Sequence, residues 1–166
     1  MLETDILPLT ADDLAALHAL QLAAHREELH EPQTLFAKML DFPRSINLGL
    51  WVDGILQGYI VSYAAEPGRR DFTAGPRREC DPALLYLHDL CISPDLQGHG
   101  LGRTLYNEFE ALALKEGYKD IIANAIDGHV QFWEKQGFIT GVQTSYHGVP
   151  ATRIEKFLQD KESIKL

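Results

Sequence analysis

Cysteine is nearly absent: Cys80 and Cys91 are the only two in 166 residues. Two separated thiols make neither a disulfide framework nor a C-x-x-C metal site. They read as unpaired thiols of a reduced intracellular protein that holds no metal. Basic residues are scarce as well, 15 Lys and Arg against 24 Asp and Glu, for a formal net charge of -9. Nucleic-acid affinity comes mainly from cations that neutralise phosphates, so this balance excludes such a partner. The pairs Arg69-Arg70 and Arg77-Arg78 sit in a Pro/Gly-rich stretch and are too few to compensate. No apolar run approaches the ~20 residues that cross a bilayer. The acidic start Met1-Leu2-Glu3-Thr4-Asp5 lacks the layout of a signal peptide. The expectation is a cytoplasmic protein with no membrane partner.

What is present suits a folded core, with 45% hydrophobic and 23% charged residues. The length fits one domain, taken as residues 1–158 with a polar tail at 159–166 that frays. Asp5 to Leu9 reads as a first strand. Thr10, followed by Asp12 and Asp13, caps a helix that places Leu14, Leu17, His18 and Leu22 on one face. Gln33 to Leu40 gives a second helix. Ile46, Leu48 and Leu50 alternate with polar or small residues, and Asp53-Gly54 turns into Ile55 to Tyr63, a hairpin signal. Residues 66–82 hold Pro67, Gly68, Gly75, Pro76 and Pro82 and read as a loop of undefined order. Then come a strand at Ala83 to Ile92, a helix carrying Leu101, Leu105, Phe109 and Leu112, and a strand at Lys119 to Ala125. A short helix at His129 to Gln136 precedes a closing hairpin of Ile139 to Tyr146 and Ala151 to Leu158. The order β-α-α-β-β-β-α-β-α-β-β predicts an α/β domain on a mixed sheet, with one right-handed parallel crossover from Ala83 to Ala125.

The chemistry concentrates after the strand that ends at Ser93-Pro94. Gln97-Gly98-His99-Gly100-Leu101-Gly102-Arg103 puts three alternating glycines directly before an amphipathic helix. Glycines bring backbone N–H groups close to a ligand, and the helix start adds free donors and partial positive charge. The product is a phosphate-type anion site, to which Arg103 adds a charged contact. It is not a P-loop, since no Lys follows the glycines, and not a dinucleotide fingerprint, since Arg103 stands where the third glycine belongs.

Gln97-x-x-Gly100-x-Gly102 resembles the Gln/Arg-x-x-Gly-x-Gly/Ala signature of the GNAT acetyltransferase superfamily. Phe132-Trp133-Glu134-Lys135-Gln136-Gly137-Phe138 resembles its second motif, commonly Phe-Tyr-Glu-Lys-x-Gly-Phe. The spacing between the two and the order of elements also match, over about the whole chain. The resemblance implies a GNAT-like, mostly antiparallel sheet and an N-acetyltransferase that uses acetyl-CoA. The amides of Gln97, Gly98, His99, Gly100, Leu101, Gly102 and Arg103 would hold the pyrophosphate. The backbone of Leu90, Cys91 and Ile92 would run beside the pantetheine arm, where that strand splays from the next. Asn124, at the end of the next strand, is a candidate pantetheine contact, with a plain strand-end polar residue as the alternative, and Phe132 and Trp133 are candidate cofactor contacts as well.

Transfer to an amine needs a base, a donor for the oxyanion and an acid for the thiolate. A strand N–H near Cys91 or Ile92 is the oxyanion donor by resemblance; Cys91 as a nucleophile is disfavoured, because the family transfers directly. Strand alternation places Tyr86, His88, Leu90 and Ile92 on one face and Asp89 and Cys91 on the other. Leu87-His88-Asp89-Leu90 resembles the arylalkylamine N-acetyltransferase branch, whose His-x-His pair becomes Tyr86-x-His88 here. His88 is the candidate base, with Asp89 or water behind it and a structural histidine as the alternative. Trp133 replaces the family's usual acid tyrosine, and an indole does not deliver a proton as a phenol does. Tyr146 and Tyr86, and also His129, are the replacements. Glu27, Glu28, Glu31 and Asp41 could attract an ammonium, although each reads first as part of a solvated face. The acidic balance favours a small-molecule primary amine as acceptor. A protein or peptide amine, a non-catalytic acyl-CoA sensor and a homodimer remain alternatives.

Overall fold

The computed structural model describes residues 3–159. The rest of the expected fraying tail, beyond Gln159, lies outside them. The elements are β1 (Thr4–Pro8), α1 (Leu14–Ala24), α2 (Gln33–Asp41), β2 (Ser45–Val52), β3 (Ile55–Ala65), β4 (Asp81–Ile92), α3 (Leu101–Lys115), β5 (Asp120–Ile126), α4 (Val130–Lys135), β6 (Ile139–Tyr146) and β7 (Val149–Phe157). Short 3-10 turns precede α1 and α3 and lie between α1 and α2. One seven-stranded sheet runs β1-β2-β3-β4-β5-β7-β6, and only β4 and β5 are parallel. Asp53 and Gly54 both take positive φ, +50° and +82°, which matches the right-handed twist of the β2–β3 hairpin.

The sheet is covered on both faces. On one, Leu85, Leu87, Ile121 and Ile154 pack with Leu105, Phe109 and Ala113 of α3 and with Trp133 of α4. On the other, Tyr59, Val61, Tyr63 and Tyr86 pack with Leu17, Phe36 and Met39 of α1 and α2. Leu22 is 45% exposed, contrary to the face expected for α1. Five residues beyond Leu17 is roughly 140° around the helix, so Leu20 and Gln21 enter the interior instead.

The loop before β4 is anchored, not loose. Arg69 is buried and donates from Nε to the Asp71 carbonyl (2.9 Å) and from Nη2 to that of Gly75 (2.7 Å). Its guanidinium lies 4.6 Å from the centre of Phe72, which stacks on Tyr86 at 3.7 Å.

Asp120 at the start of β5 has a buried Oδ1 with no hydrogen-bond donor to meet. Burial, and then the neighbouring Glu155 carboxyl, push its pKa up to about 7, so a proton is held between the two. A raised acid pKa favours folding below the ordinary value of 3.8, and that contribution is lost as pH rises to about 7. Asp120→Asn should therefore raise the melting temperature more at pH 8 than at pH 4. Solvent screening of this half-buried pair limits the gain to on the order of 1 kcal/mol, or about 2–4 °C. Equal shifts at both pH values would refute the shared proton.

Candidate active site

Parallel pairing of β4 with β5 runs from Leu84↔Asp120 to Leu87↔Ala123 and stops. Both strands continue, β4 to Ile92 on the side of β3 and β5 to Ile126 on the side of β7. Beyond Leu87 the β5-facing edge of β4 thus has no partner strand. The divergence opens a cleft of about 510 Å³, lined by Tyr86, His88, Leu90, Ile92, Asn124, Tyr146 and the glycine loop, among others.

The glycine loop closes one end of the cleft. Gly98 and Gly100 take φ of +83° and +76°, where an L side chain is strained. A Cβ on either would project into open space, so their backbones are open to a ligand. Gly100 is the N-cap of α3 and no side chain caps the helix. Its first-turn N–H groups are free to meet an anion. Gln97, Gly98, Gly100, Leu101, Gly102 and Arg103 line the cleft, as do Leu90, Ile92, Asn124, Phe132, Trp133 and His129. His99 is exposed, with Nδ1 turned to the Leu96 carbonyl at 3.1 Å. The free strand edge, the open loop backbone and the helix start together suit an extended arm that ends in a pyrophosphate.

At the other end β4 departs from simple alternation. Val61 pairs with Asp89 and the next residue of β3, Ser62, pairs with Leu87, so His88 is the extra residue of a β-bulge. The expected faces are corrected accordingly. Tyr86, His88, Asp89 and Cys91 all lie toward α1 and α2, whereas Leu90 and Ile92 pack on the α3 side. The bulge puts two consecutive polar side chains beside each other in the cleft.

Each of these side chains meets a partner. His88 Nε2–H donates to Glu31 Oε1 at 2.7 Å, while the Tyr146 hydroxyl donates to Oε2 at 2.7 Å and His147 Nε2 at 3.1 Å. Glu31 precedes α2, and its side chain is 5% exposed, contrary to the solvated face expected of it. Gln21 of α1 clamps its main chain from both sides, donating to the carbonyl (3.0 Å) and accepting from the amide (2.6 Å). The signal for this lies in no local pattern, since the partners are 57, 115 and 116 residues away. Asp89 accepts from Tyr59 (2.5 Å) and from His25 Nε2 (2.8 Å).

The electrostatics follow from these pairs. Burial pushes the Glu31 carboxyl up, but the charge of His88 and the bonds from His88, Tyr146 and His147 outweigh it and hold the pKa at about 2. Burial pushes His88 down and Glu31 outweighs that too, leaving it above 6.5. Glu31 contributes stability above its ordinary 4.5, which is lost as pH falls through about 2. The interval of about 2.5 pH units is worth about 3 kcal/mol. Thermal melts from pH 6 to pH 3 should show this loss, and Glu31→Gln should flatten the slope.

Cys91 is buried, with Sγ 3.9 Å from the Leu20 carbonyl, and burial pushes its thiol well up. Cys91 is not among the residues that line the cleft, whereas its neighbours Leu90 and Ile92 are. Tyr86 is fully buried and its hydroxyl accepts from Asn124 at 3.4 Å; Arg153 in turn donates to Asn124 Oδ1 at 2.9 Å. Trp133 packs edge-on against Tyr106, Phe132 and Phe138, wedged between the core and the cleft.

The model of the acetyltransferase (GNAT) family matches residues 14–138. Similar solved structures include the ribosomal-protein-S18-alanine N-acetyltransferase from Escherichia coli, at 17% identity and a TM-score of 0.77 over 99% of this chain and 100% of that one. The PaiA N-acetyltransferase from Thermoplasma acidophilum, solved with coenzyme A, has 17% identity and a TM-score of 0.71 over 94% and 99%. The loading GNATL domain of CurA from Lyngbya majuscula has 14% identity and a TM-score of 0.81 over 93% and 98%. A search of curated proteins finds no significant match. Among the described residues no helix is long and apolar enough to cross a membrane. With its family model spanning three quarters of the sequence and its strands parting beside a glycine-capped helix, this chain belongs to the acetyltransferase (GNAT) family, which draws its acetyl group from acetyl-CoA.

Proposed function

We propose that the protein acetylates the primary amine of a small molecule. The observation that carries the reading is the clasp through Glu31, which ties the segment between α1 and α2 to the β6–β7 turn over the acceptor side of the cleft. Such a closure suits a compact acceptor better than a polypeptide strand. A second reading, an amine on a polypeptide, is favoured by the likeness to the ribosomal-protein-S18-alanine enzyme.

Acetyl-CoA supplies an activated acetyl group on a thiol leaving group. The loop amides of Gln97 to Arg103 would hold its pyrophosphate, with Arg103 adding charge, and the free edge of Leu90 to Ile92 would align its arm. Asn124, held in orientation by Arg153, would offer to the same opening the amide N–H that it does not give to Tyr86. Phe132 and Trp133 exclude water beneath the arm. An N–H of the unpaired β4 edge near Cys91 or Ile92 stabilises charge developing on the acetyl oxygen.

Glu31 is ionised and can only accept, so the bond fixes a proton on His88 Nε2. His88 Nδ1 is buried without a partner and is the basic atom that takes the proton from the ammonium. The Tyr146 hydroxyl is engaged with Glu31, whereas that of Tyr86 donates in no hydrogen bond among the described residues. Burial raises the Tyr86 pKa, so its phenol is protonated; that uncommitted O–H on the cleft lining makes Tyr86 the acid we assign in place of Trp133.

The test is release of free thiol from acetyl-CoA with a panel of aryl-alkyl amines, polyamines, amino acids and short peptides. Faster turnover of one class of free amines than of any peptide supports the small-molecule reading. Preference for peptides replaces it with the polypeptide one. Binding of acetyl-CoA without turnover leaves the sensor.

A further inference from the structure

We propose that Glu31 is a positioning residue, which sets the tautomer and basicity of His88 and does so only while the two sides of the acceptor site are clasped. The inference rests on the reading of His88 as base. Glu31 is not on the strand that carries His88. It belongs to the short segment between α1 and α2, and the reciprocal amide clamp from Gln21 holds it there. His18 Nε2 donates to the same carbonyl at 3.1 Å. A carboxylate so fixed, 5% exposed and 2.7 Å from Nε2, prescribes where the imidazole proton sits.

The second carboxylate oxygen is committed elsewhere. It accepts from Tyr146 and His147, which come from the turn between β6 and β7. One side chain therefore joins three parts of the fold: the base strand, the α1–α2 segment and the hairpin. When the hairpin swings away, Glu31 loses two donors and gains water, and its hold on His88 weakens. Basicity and closure are linked through one group.

The titratable groups that face His88 are few. They are Glu31, His25 at the end of α1, Asp89 and Tyr86 on β4, Tyr63 on β3, and Tyr146 with His147 from the hairpin. From α2 only the apolar ring of Phe36 contacts it. Asp89 also favours the charged imidazole, while His25 opposes it. Removing the charge of Glu31 leaves all of these in place, so its effect can be read alone.

The experiment is an NMR titration of the histidine side chains in the free protein, with His88 assigned by its loss in His88→Gln. In the wild type, neutral His88 should carry its proton on Nε2, and its pKa should lie above the ordinary 6.5. In Glu31→Gln the pKa should fall by about one pH unit or more, and the tautomer preference should vanish. Tyr146→Phe removes one of the two hairpin donors to Glu31 but leaves the Nε2 bond, and should move the titration in the same direction by a smaller amount. Three results would overturn the proposal: a wild-type proton on Nδ1, an unchanged titration in Glu31→Gln, or an unchanged titration in Tyr146→Phe. The first needs no variant to fold. Failure of the underlying reading shows separately, as a His88→Ala enzyme with undiminished turnover of the amine panel.

Discussion

His88→Gln is expected to lower kcat by ~10²–10⁴-fold while leaving the affinity for acetyl-CoA essentially unchanged. The range is what a positioned proton acceptor contributes when its removal leaves only water to do the work. Glutamine is the informative replacement. Its amide can still donate to Glu31 Oε1, so a buried carboxylate is not stranded and the fold is retained. It has no basic nitrogen, so proton removal is lost. The groups assigned to acetyl-CoA lie on the glycine loop, on the edge of Leu90 to Ile92, on α4 and at Asn124 of β5, none of which hydrogen-bonds to or stacks on the substituted ring. The remaining activity should rise with pH, because amines that deprotonate in solution no longer need the base. Stopped turnover with calorimetric titration of acetyl-CoA separates the two effects. A variant that loses cofactor affinity as much as rate would place His88 in the binding groove instead.

Gly100→Val should weaken acetyl-CoA binding by on the order of 10²-fold or more, and destabilise the free protein by only about 1–2 kcal/mol. The second figure follows from φ of +76° at that position, where a β-branched side chain is strained. Nothing lies within 4 Å of the added Cβ, so no clash compounds it. The first figure follows from the loss of one or two hydrogen bonds to a charged phosphate, as the backbone is pushed out of reach. Melting and calorimetry on the same sample give both numbers. A large fall in stability with normal affinity would mean that the loop is a structural turn and that the anion sits elsewhere. Gly102, in the first turn of α3, offers a contrast. Its added Cβ would meet Phe132 at 3.6 Å, an ordinary contact, and its φ is not positive, so Gly102→Ala should not lower the melting temperature.

The element order, the parallel crossover and the glycine turn before α3 were legible because their signals are local. Alternation in β2, the Asp53-Gly54 turn and three spaced glycines before a helix each state their structure within a few residues. The acceptor end was not legible, for two physical reasons. A strict period of two carries through His88 without marking the bulge, so the faces of β4 beyond it are inverted by one residue. Glu31 sits in a short polar segment with no period at all. Its burial is decided by a strand and a hairpin distant in the chain. Leu22 shows a milder form of the same limit, since hydrophobicity alone does not say which of several leucines a helix turns inward.

The early end of the β4–β5 ladder makes the ligand-free sheet an unfinished one. Hydrogen-bonding groups in the middle of a sheet are normally consumed, and here a run of them is held open by side chains rather than by a missing strand. In the proposed binding mode the acyl donor would be, in that sense, an eighth strand supplied from solution. Whatever binds only the folded chain stabilises it by mass action, by about 2.7 kcal/mol at a concentration a hundred times its dissociation constant. The durability of this protein in a cell would then be tied to the local supply of acetyl-CoA. The abundance of the enzyme, and not only its rate, would follow the metabolic state that feeds it.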